Sequence, residues 1–401
     1  MISLEAALER MSAVVASLPA EAVSLNLAAG RWLSEDAFSG IDLPPFDNSA
    51  MDGYAVAAAE LAAAASDHPA NLQCAGETAA GQPPGPPLQP GQCRRIFTGA
   101  PLPPGADAVV MQEETRPGMG DPNQVEFLDA PKPWEHVRFR GEDIKIGAPL
   151  AQRGQRLDFG NLAVLAAVGR AQVMVGRRPV VGLIATGDEL LEPGATLKAG
   201  GLFESNRLML TTLIAETGCL PRPYPIVRDT LSATEAALAA AAAECDVVIT
   251  TGGVSVGAYD HVKEAVVRLG GEVDFWRVAI RPGKPFVWGR VKERHFVGLP
   301  GNPMSCLVTF LLLVRPLLIR LQGGTAVSLN SQQGRLIAAV RNPGPRRHFM
   351  RACLDAAGEV RIVGPQGSHV LSGLLASNCL LDLPAGAEWE AGREVQVLRF
   401  P

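Results

Sequence analysis

Residues 245–253 run CDVVITTGG, an unbroken apolar strand that stops at two glycines. A strand that is apolar at every position, rather than at every second one, is covered on both faces, as in a parallel sheet. The same pattern occurs upstream in PVVGLIAT (179–186) and downstream in HFVGLPG (295–301), with strand-like runs in RPYPIV (222–227) and VDFWRVAI (273–280). Helix-period segments separate them: SNRLMLTTLIAETG (205–218), an Ala-rich stretch at 231–244, HVKEAVVRLGG (261–271) and NPMSCLVTFLLLV (302–314). Alternation of this kind implies βαβ units, so the expected fold is a multidomain α/β protein with a parallel-sheet domain over residues 178–325.

Toward the N-terminus, Ser3 can cap a helix on which Leu4, Ala7, Leu8 and Met11 share a face. The segment IDLPPFDNSAMDGYAV (41–56) is Pro-rich and then acidic, which describes extended chain turning sharply before a strand. Residues 81–105 hold 13 Gly or Pro in 25, too many for a helix but suited to turns between strands near 91–97 and 108–113. A small β domain is therefore expected at 51–136, inserted in an elongated N-terminal domain of residues 1–50 and 137–177 that carries a helix at 159–168. Beyond Gln322 the helical period is lost. Short alternating runs such as RLIAAV and EVQVLRF, with Gly and Pro between them, predict a small β-barrel or sandwich at 326–401.

Composition bounds the function. The 401 residues carry 36 Lys plus Arg against 41 Asp plus Glu, a formal charge of −5, which argues against nonspecific nucleic-acid binding. With 47% hydrophobic and 19% charged residues the chain is not disordered and can fill the cores of about two to four domains. The most apolar run, 307–319, is interrupted by Arg315 and Pro316 and falls short of the roughly 20 residues of a membrane span. Glu5, Glu9 and Arg10 do not fit a secretion signal. A soluble, cytoplasmic protein is expected. Seven cysteines without a CxxC pair fit reduced thiols rather than a disulfide framework or a zinc site, and six dispersed histidines, His295 and His348 among them, make no metal motif. Cys306 lies at a helix start but has no adjoining His, and is not expected to be catalytic.

In an open parallel sheet, ligands bind beyond the carboxyl ends of the strands. Three loops there suit an anion and its metal. In ATGDEL, Asp188 and Glu189 bring carboxylates to a strand end, although capping of a following helix would explain them too. In TTGGVSVGAYD, Gly252 and Gly253 let backbone amides approach a phosphate, Ser255 adds a hydroxyl and Asp260 a carboxylate. The spacing matches neither a P-loop nor GxGxxG, and a bare Gly-rich turn is the plain alternative. With acids in both loops, a Mg²⁺–phosphate site is the better explanation, because hard cations take oxygen ligands shared with phosphates. The third loop, GLPGNPMS (298–305), opens a helix whose N–H groups could hold an anion. Arg281 and Lys284 flank a rigid turn in RPGKP and read as phosphate or oxyanion contacts. Elsewhere, Asp47, Asn48, Ser49 and Asp52 cluster in a segment that turn-making also explains, and VRFRGEDI gathers Arg138, Arg140, Glu142 and Asp143, for which a surface salt-bridge network is the alternative. Arg346, Arg347 and Arg351 with Ser368 and His369 would suit a tetrahedral oxyanion, or form a basic surface strand.

Together these motifs resemble one family, the molybdopterin molybdenumtransferases. The carriers span nearly the whole chain: PPFDNSAMDGYAV, FTGAPLPPGADAVVMQE, VRFRGEDI, ATGDEL, ESNRLML, DVVITTGGVSVGAYDHVKE, RPGKP, GLPGNPMS and GPQGSH. The resemblance implies an L-shaped homodimer of four-domain subunits, with each active site built from the α/β and C-terminal domains of one subunit and the Asp-rich N-terminal region of the other. It implies that adenylylated molybdopterin and molybdate, with Mg²⁺ or a similar divalent ion, yield AMP and molybdenum cofactor. It carries over Asp52, Asp143, Asp260 and Lys284 as catalytic, with Asp188 and Glu189 beside Asp260 for the metal. Thr98, Arg138, Ser255, Arg351 and Ser368 join Gly252, Gly253 and Arg281 as substrate contacts. An adenylyltransferase and downstream molybdoenzyme maturation proteins are the implied partners. Phe139, Ala258, Tyr259, Glu204 and Arg277 depart from the family pattern and bear on substrate affinity. Two rival readings are a molybdopterin adenylyltransferase-like or pyrophosphate-cleaving relative of the α/β domain, and a non-catalytic scaffold.

Overall fold

A computed structural model describes residues 1–253 and 261–400. The chain packs as two units, one of residues 1–35, 153–158 and 172–401, the other of residues 36–152 and 159–171. In the first, six strands form one sheet in the order Leu220–Pro223, Val180–Ala185, Val247–Thr251, Arg294–Leu299, Pro285–Val291, Glu272–Arg277. The first four are parallel, as the apolar runs predict, whereas Pro285–Val291 pairs antiparallel with both of its neighbours. The sheet is therefore mixed, with Pro285–Val291 an additional strand. Val181, Leu183 and Val247 lie in the core on one face and Ile184, Val248 and Phe296 in the core on the other, which is why consecutive positions of these strands are apolar.

Helix Leu4–Val14 begins as expected, with Ser3 Oγ accepting from the amide of Ala6 at 3.0 Å. Its Leu4, Ala7 and Met11 enter the core of the α/β body. The apolar run after Asn302 is not broken at Arg315–Pro316. The helix continues from Pro303 to Leu321 through a π turn at Phe310–Val314. A π turn shifts the hydrogen-bond register, which accommodates a proline that has no N–H to donate. This helix is long and apolar enough to cross a membrane, yet 89% of it is buried inside the protein.

In the C-terminal region, strands Ser331–Leu336, Arg347–Leu354, Glu359–Ile362, Cys379–Leu383 and Glu394–Arg399 close on themselves through the pairing of Arg347–Leu354 with Cys379–Leu383, giving a five-stranded barrel. One further two-residue strand, Ile280–Arg281, adds to the barrel in parallel with Arg347–His348.

The second unit centres on another six-stranded sheet that includes Gly53–Val56, Ala70–Thr78, Gln92–Ile96 and Ala108–Met111 around a core of Val56, Leu61, Leu72, Cys93 and Phe127. Gly53 of the DGY motif lies so close to the neighbouring strand that a Cβ there would sit 1.9 Å from the Val110 carbonyl oxygen.

Candidate active site

The carboxyl ends of three parallel strands frame a cleft of about 630 Å³. Thr186 and Glu189 come from the first strand end, Thr251, Gly252 and Gly253 from the second, Gly301, Asn302 and Pro303 from the third, and the barrel adds His369 and Leu371. Gly252 and Gly253 have φ of 87° and 63°, and a Cβ on Gly252 would stand 2.7 Å from the Thr186 carbonyl oxygen. Only glycine meets both demands. Asn206, at the start of the following helix, donates from Nδ2 to the Gly301 carbonyl at 2.8 Å and ties two walls together.

The ATGDEL carboxylates are exposed and cap no α-helix; the chain leads instead into a short strand at Leu190–Leu191. Asp188 exchanges hydrogen bonds with Asp229: its amide donates to Asp229 Oδ2 at 3.4 Å and its Oδ1 accepts from the Asp229 amide at 3.3 Å. Burial, together with the charges of Glu189 and Asp188, raises the Asp229 carboxyl above its ordinary range. Asp229 escaped the sequence reading because a lone Asp before the helix cap Thr230 looks like an ordinary turn residue. Asp188, Glu189 and Asp229 bring only oxygen donors to this strand end, the atom type a hard divalent ion takes. Among the described residues, however, no three His, Cys, Asp or Glu are placed to hold a metal ion by themselves. Ser255 and Asp260, with the departures Ala258 and Tyr259, lie outside the described residues.

Glu204 is buried and paired with Arg207 at 3.2 Å, so its carboxylate supports the cleft wall. The helix opening at Pro303 offers fewer amides than expected: proline has none, and the Met304 amide donates to the Ser368 carbonyl at 3.0 Å. That bond brings the GPQGSH loop, a turn rather than a strand, onto the α/β body. Arg351 is 2% exposed and spends its guanidinium on the same loop. Nη1 donates to the carbonyls of Val370 at 3.0 Å and Gly367 at 3.3 Å, and Nη2 to that of Pro365. It holds Ser368 in place instead of projecting into the open. Arg281 and Lys284, both exposed, stand at the joint between sheet and barrel. Burial pushes the Cys306 thiol up, as befits a packing residue.

In the second unit, the exposed Asp52 accepts from both the amide and the hydroxyl of Thr98, each at 2.8 Å, and these bonds hold its carboxyl below the ordinary range. Asp47 and Asn48 serve the turn, through the Arg140 amide at 2.7 Å and the Phe46 carbonyl at 3.2 Å. Arg140 pairs with Asp42 at 2.6 Å, so part of VRFRGEDI is a salt bridge. Arg138 and Asp143 are exposed and meet no ionic partner among the described residues.

Three family models match this chain. Residues 2–169 match the MoeA N-terminal region (domains I and II), 182–320 the probable molybdopterin-binding domain, and 333–400 the MoeA C-terminal region (domain IV). The chain is 38% identical over 397 residues to a molybdopterin molybdenumtransferase of Haemophilus influenzae, covering 96% of this chain and 94% of that one. It is 35% identical over 386 residues to the protein of that name from Bacillus subtilis, covering 94% and 89%. A molybdopterin biosynthesis MoeA protein from Pyrococcus horikoshii superposes with a TM-score of 0.88 at 33% identity over 100% of this chain and 99% of the other. From motif, fold and full-length similarity alike, the chain belongs to the molybdopterin molybdenumtransferase (MoeA) family.

Proposed function

We propose that this protein inserts molybdenum from molybdate into adenylylated molybdopterin, releasing AMP and molybdenum cofactor. The observation that carries the reading is the cleft at the carboxyl edge of the sheet. There, glycines with left-handed backbone leave room for a phosphate beside Glu189, the neighbour of the hydrogen-bonded pair Asp188 and Asp229. The amides around Gly252 and Gly253 bind and orient the pyrophosphate link, with Ser255 and Asp260 completing that loop. A Mg²⁺ ion held by the carboxylates would neutralise charge on the phosphate oxygens. Lys284, Arg281 and Ser368 attract molybdate, while Arg351 keeps the Ser368 loop in register for it.

Asp52, ionised and steered by Thr98, offers a fixed negative acceptor that orients an attacking water, and Arg138 and Asp143 supply further polar contacts. These residues act on the α/β domain of a second subunit, so the protein works as a cytoplasmic homodimer, fed by an adenylyltransferase and emptied by molybdoenzyme maturation proteins. An α/β-only adenylyltransferase reading leaves residues 2–169 and 333–400 without a role.

Incubation with adenylylated molybdopterin, molybdate and Mg²⁺ should release AMP in step with molybdenum cofactor. AMP release that is indifferent to molybdate, with no cofactor formed, would sink the proposal.

A further inference from the structure

Outside the cleft, two thiols face each other in the sheet of the second unit. Cys74, on strand Ala70–Thr78, is in register with Cys93, on the parallel strand Gln92–Ile96. Register partners project from the same face of a sheet, and neighbouring strands lie about 4.8 Å apart. That spacing falls inside the roughly 4.4–6.8 Å separation of Cα atoms that a disulfide can span. Both cysteines are free thiols. Their surroundings differ in a useful way. Cys93 is 0% exposed among Val56, Leu61, Leu72 and Phe127, whereas Cys74 is half-buried at the margin of that core.

Cys74 Sγ donates to the Gly76 carbonyl at 3.5 Å, and the interaction with Cys93 draws the Cys74 thiol down to about 6 while that interaction and burial push Cys93 up. The accessible member of the pair is thus the one that ionises more readily to the reactive thiolate, and the buried member holds its proton more firmly. Nothing in the transferase reading uses either residue.

We propose that Cys74 and Cys93 form a reversible thiol–disulfide pair, a redox-modification site whose oxidant is a peroxide. The Cys74 thiolate attacks one peroxide oxygen, the O–O bond breaks, and hydroxide leaves and takes up the proton that Cys74 lost on ionising, giving water and a sulfenic acid at Cys74. The Cys93 sulfur then attacks the Cys74 sulfur and the S–O bond breaks. The departing hydroxide leaves as water with the Cys93 proton. Two thiols are oxidised by two electrons and hydrogen peroxide is reduced to two waters. Adjacent strands hold Cβ atoms farther apart than the ~3.8 Å a disulfide prefers, so the bond forms under strain and is easily reversed by thiols.

The test treats the full chain with hydrogen peroxide, blocks remaining thiols, and maps tryptic peptides by mass spectrometry. The expected product joins Cys74 to Cys93 and disappears after exposure to reduced glutathione. Cys74→Ser should leave Cys93 unmodified, and Cys93→Ala should accumulate a Cys74 sulfenic acid that dimedone traps. Overturning results are a folded wild-type protein whose Cys74 passes to sulfinic acid without cross-linking, one whose two thiols stay unchanged, or one that links other cysteines instead. The wild-type map needs no variant, so the test stands even if Cys93→Ala fails to fold.

Discussion

His348 should make the protein acid-labile, by an amount that the structure sets. It is 4% exposed on the barrel strand Arg347–Leu354, in register with Arg281 from RPGKP and Leu383 from the next strand. Burial first, then the charges of Arg281, Arg346 and Arg351, lower its pKa from 6.5 to about 4. Between those two values the unfolded chain binds a proton that the native protein refuses, so stability is complete above about pH 6.5 and falls as the pH drops toward 4. At about 1.4 kcal/mol per pH unit the full effect is about 3 kcal/mol, of which about 2 kcal/mol should be lost between pH 7 and pH 4.5. Carboxylates add their own slope, so the measurement is comparative. Urea unfolding of the wild type and of His348→Phe at both pH values should show a drop smaller by about 2 kcal/mol in the variant, which keeps a ring but has nothing to titrate. Equal drops in the two proteins would refute the placement of a neutral imidazole among three arginines. His295, stacked on Trp288 at 5.2 Å and also lowered to about 4 by burial, should add a separate contribution of the same sign.

Other perturbations reach the site itself. Gly53→Ala forces a Cβ against the Val110 carbonyl and should cost about 2–3 kcal/mol in thermal or urea unfolding; an unchanged midpoint would show that the strands part easily. Arg351→Lys should raise the molybdate concentration needed for half-maximal turnover nearly as much as Arg351→Ala, because a single ammonium cannot serve three carbonyls at once. Full recovery with lysine would mean that charge alone matters there. Asp52→Ala mixed with Lys284→Ala, under conditions where chains exchange, should regain part of the AMP release, since each mixed dimer holds one intact composite site; no recovery despite mixed dimers seen by mass would assign both residues to the same chain.

Much of this architecture could be read from local patterns, and the exceptions share a cause. Apolar runs such as VVGLIA and VVITT announce strands because burial on both faces leaves a period-free signature, and Ser3 announces a helix start because its hydroxyl answers an orphan amide. Strand Pro285–Val291 was hidden by its proline and by Gly289, and its antiparallel pairing depends on neighbours that no local run encodes. In the site, the pairing of Asp52 with Thr98 joins two motifs flagged separately, whereas Asp229 and the inward turn of Arg351 become visible only when distant segments meet. Local chemistry names candidates; long-range packing decides which of their atoms stay open to a ligand.

The two-residue strand Ile280–Arg281 has a consequence for cutting and pasting this protein. It belongs to the α/β segment in sequence but to the barrel by hydrogen bonding, and Arg346 reinforces the graft by donating to the Ile280 carbonyl at 2.9 Å. A chimera that exchanges residues 326–401 for another barrel would leave the RPGKP turn clamped to a foreign surface, and Lys284 with it. The transferable piece is therefore the barrel together with its borrowed strand, and lineages that traded C-terminal domains would have had to trade or re-fit that turn as well.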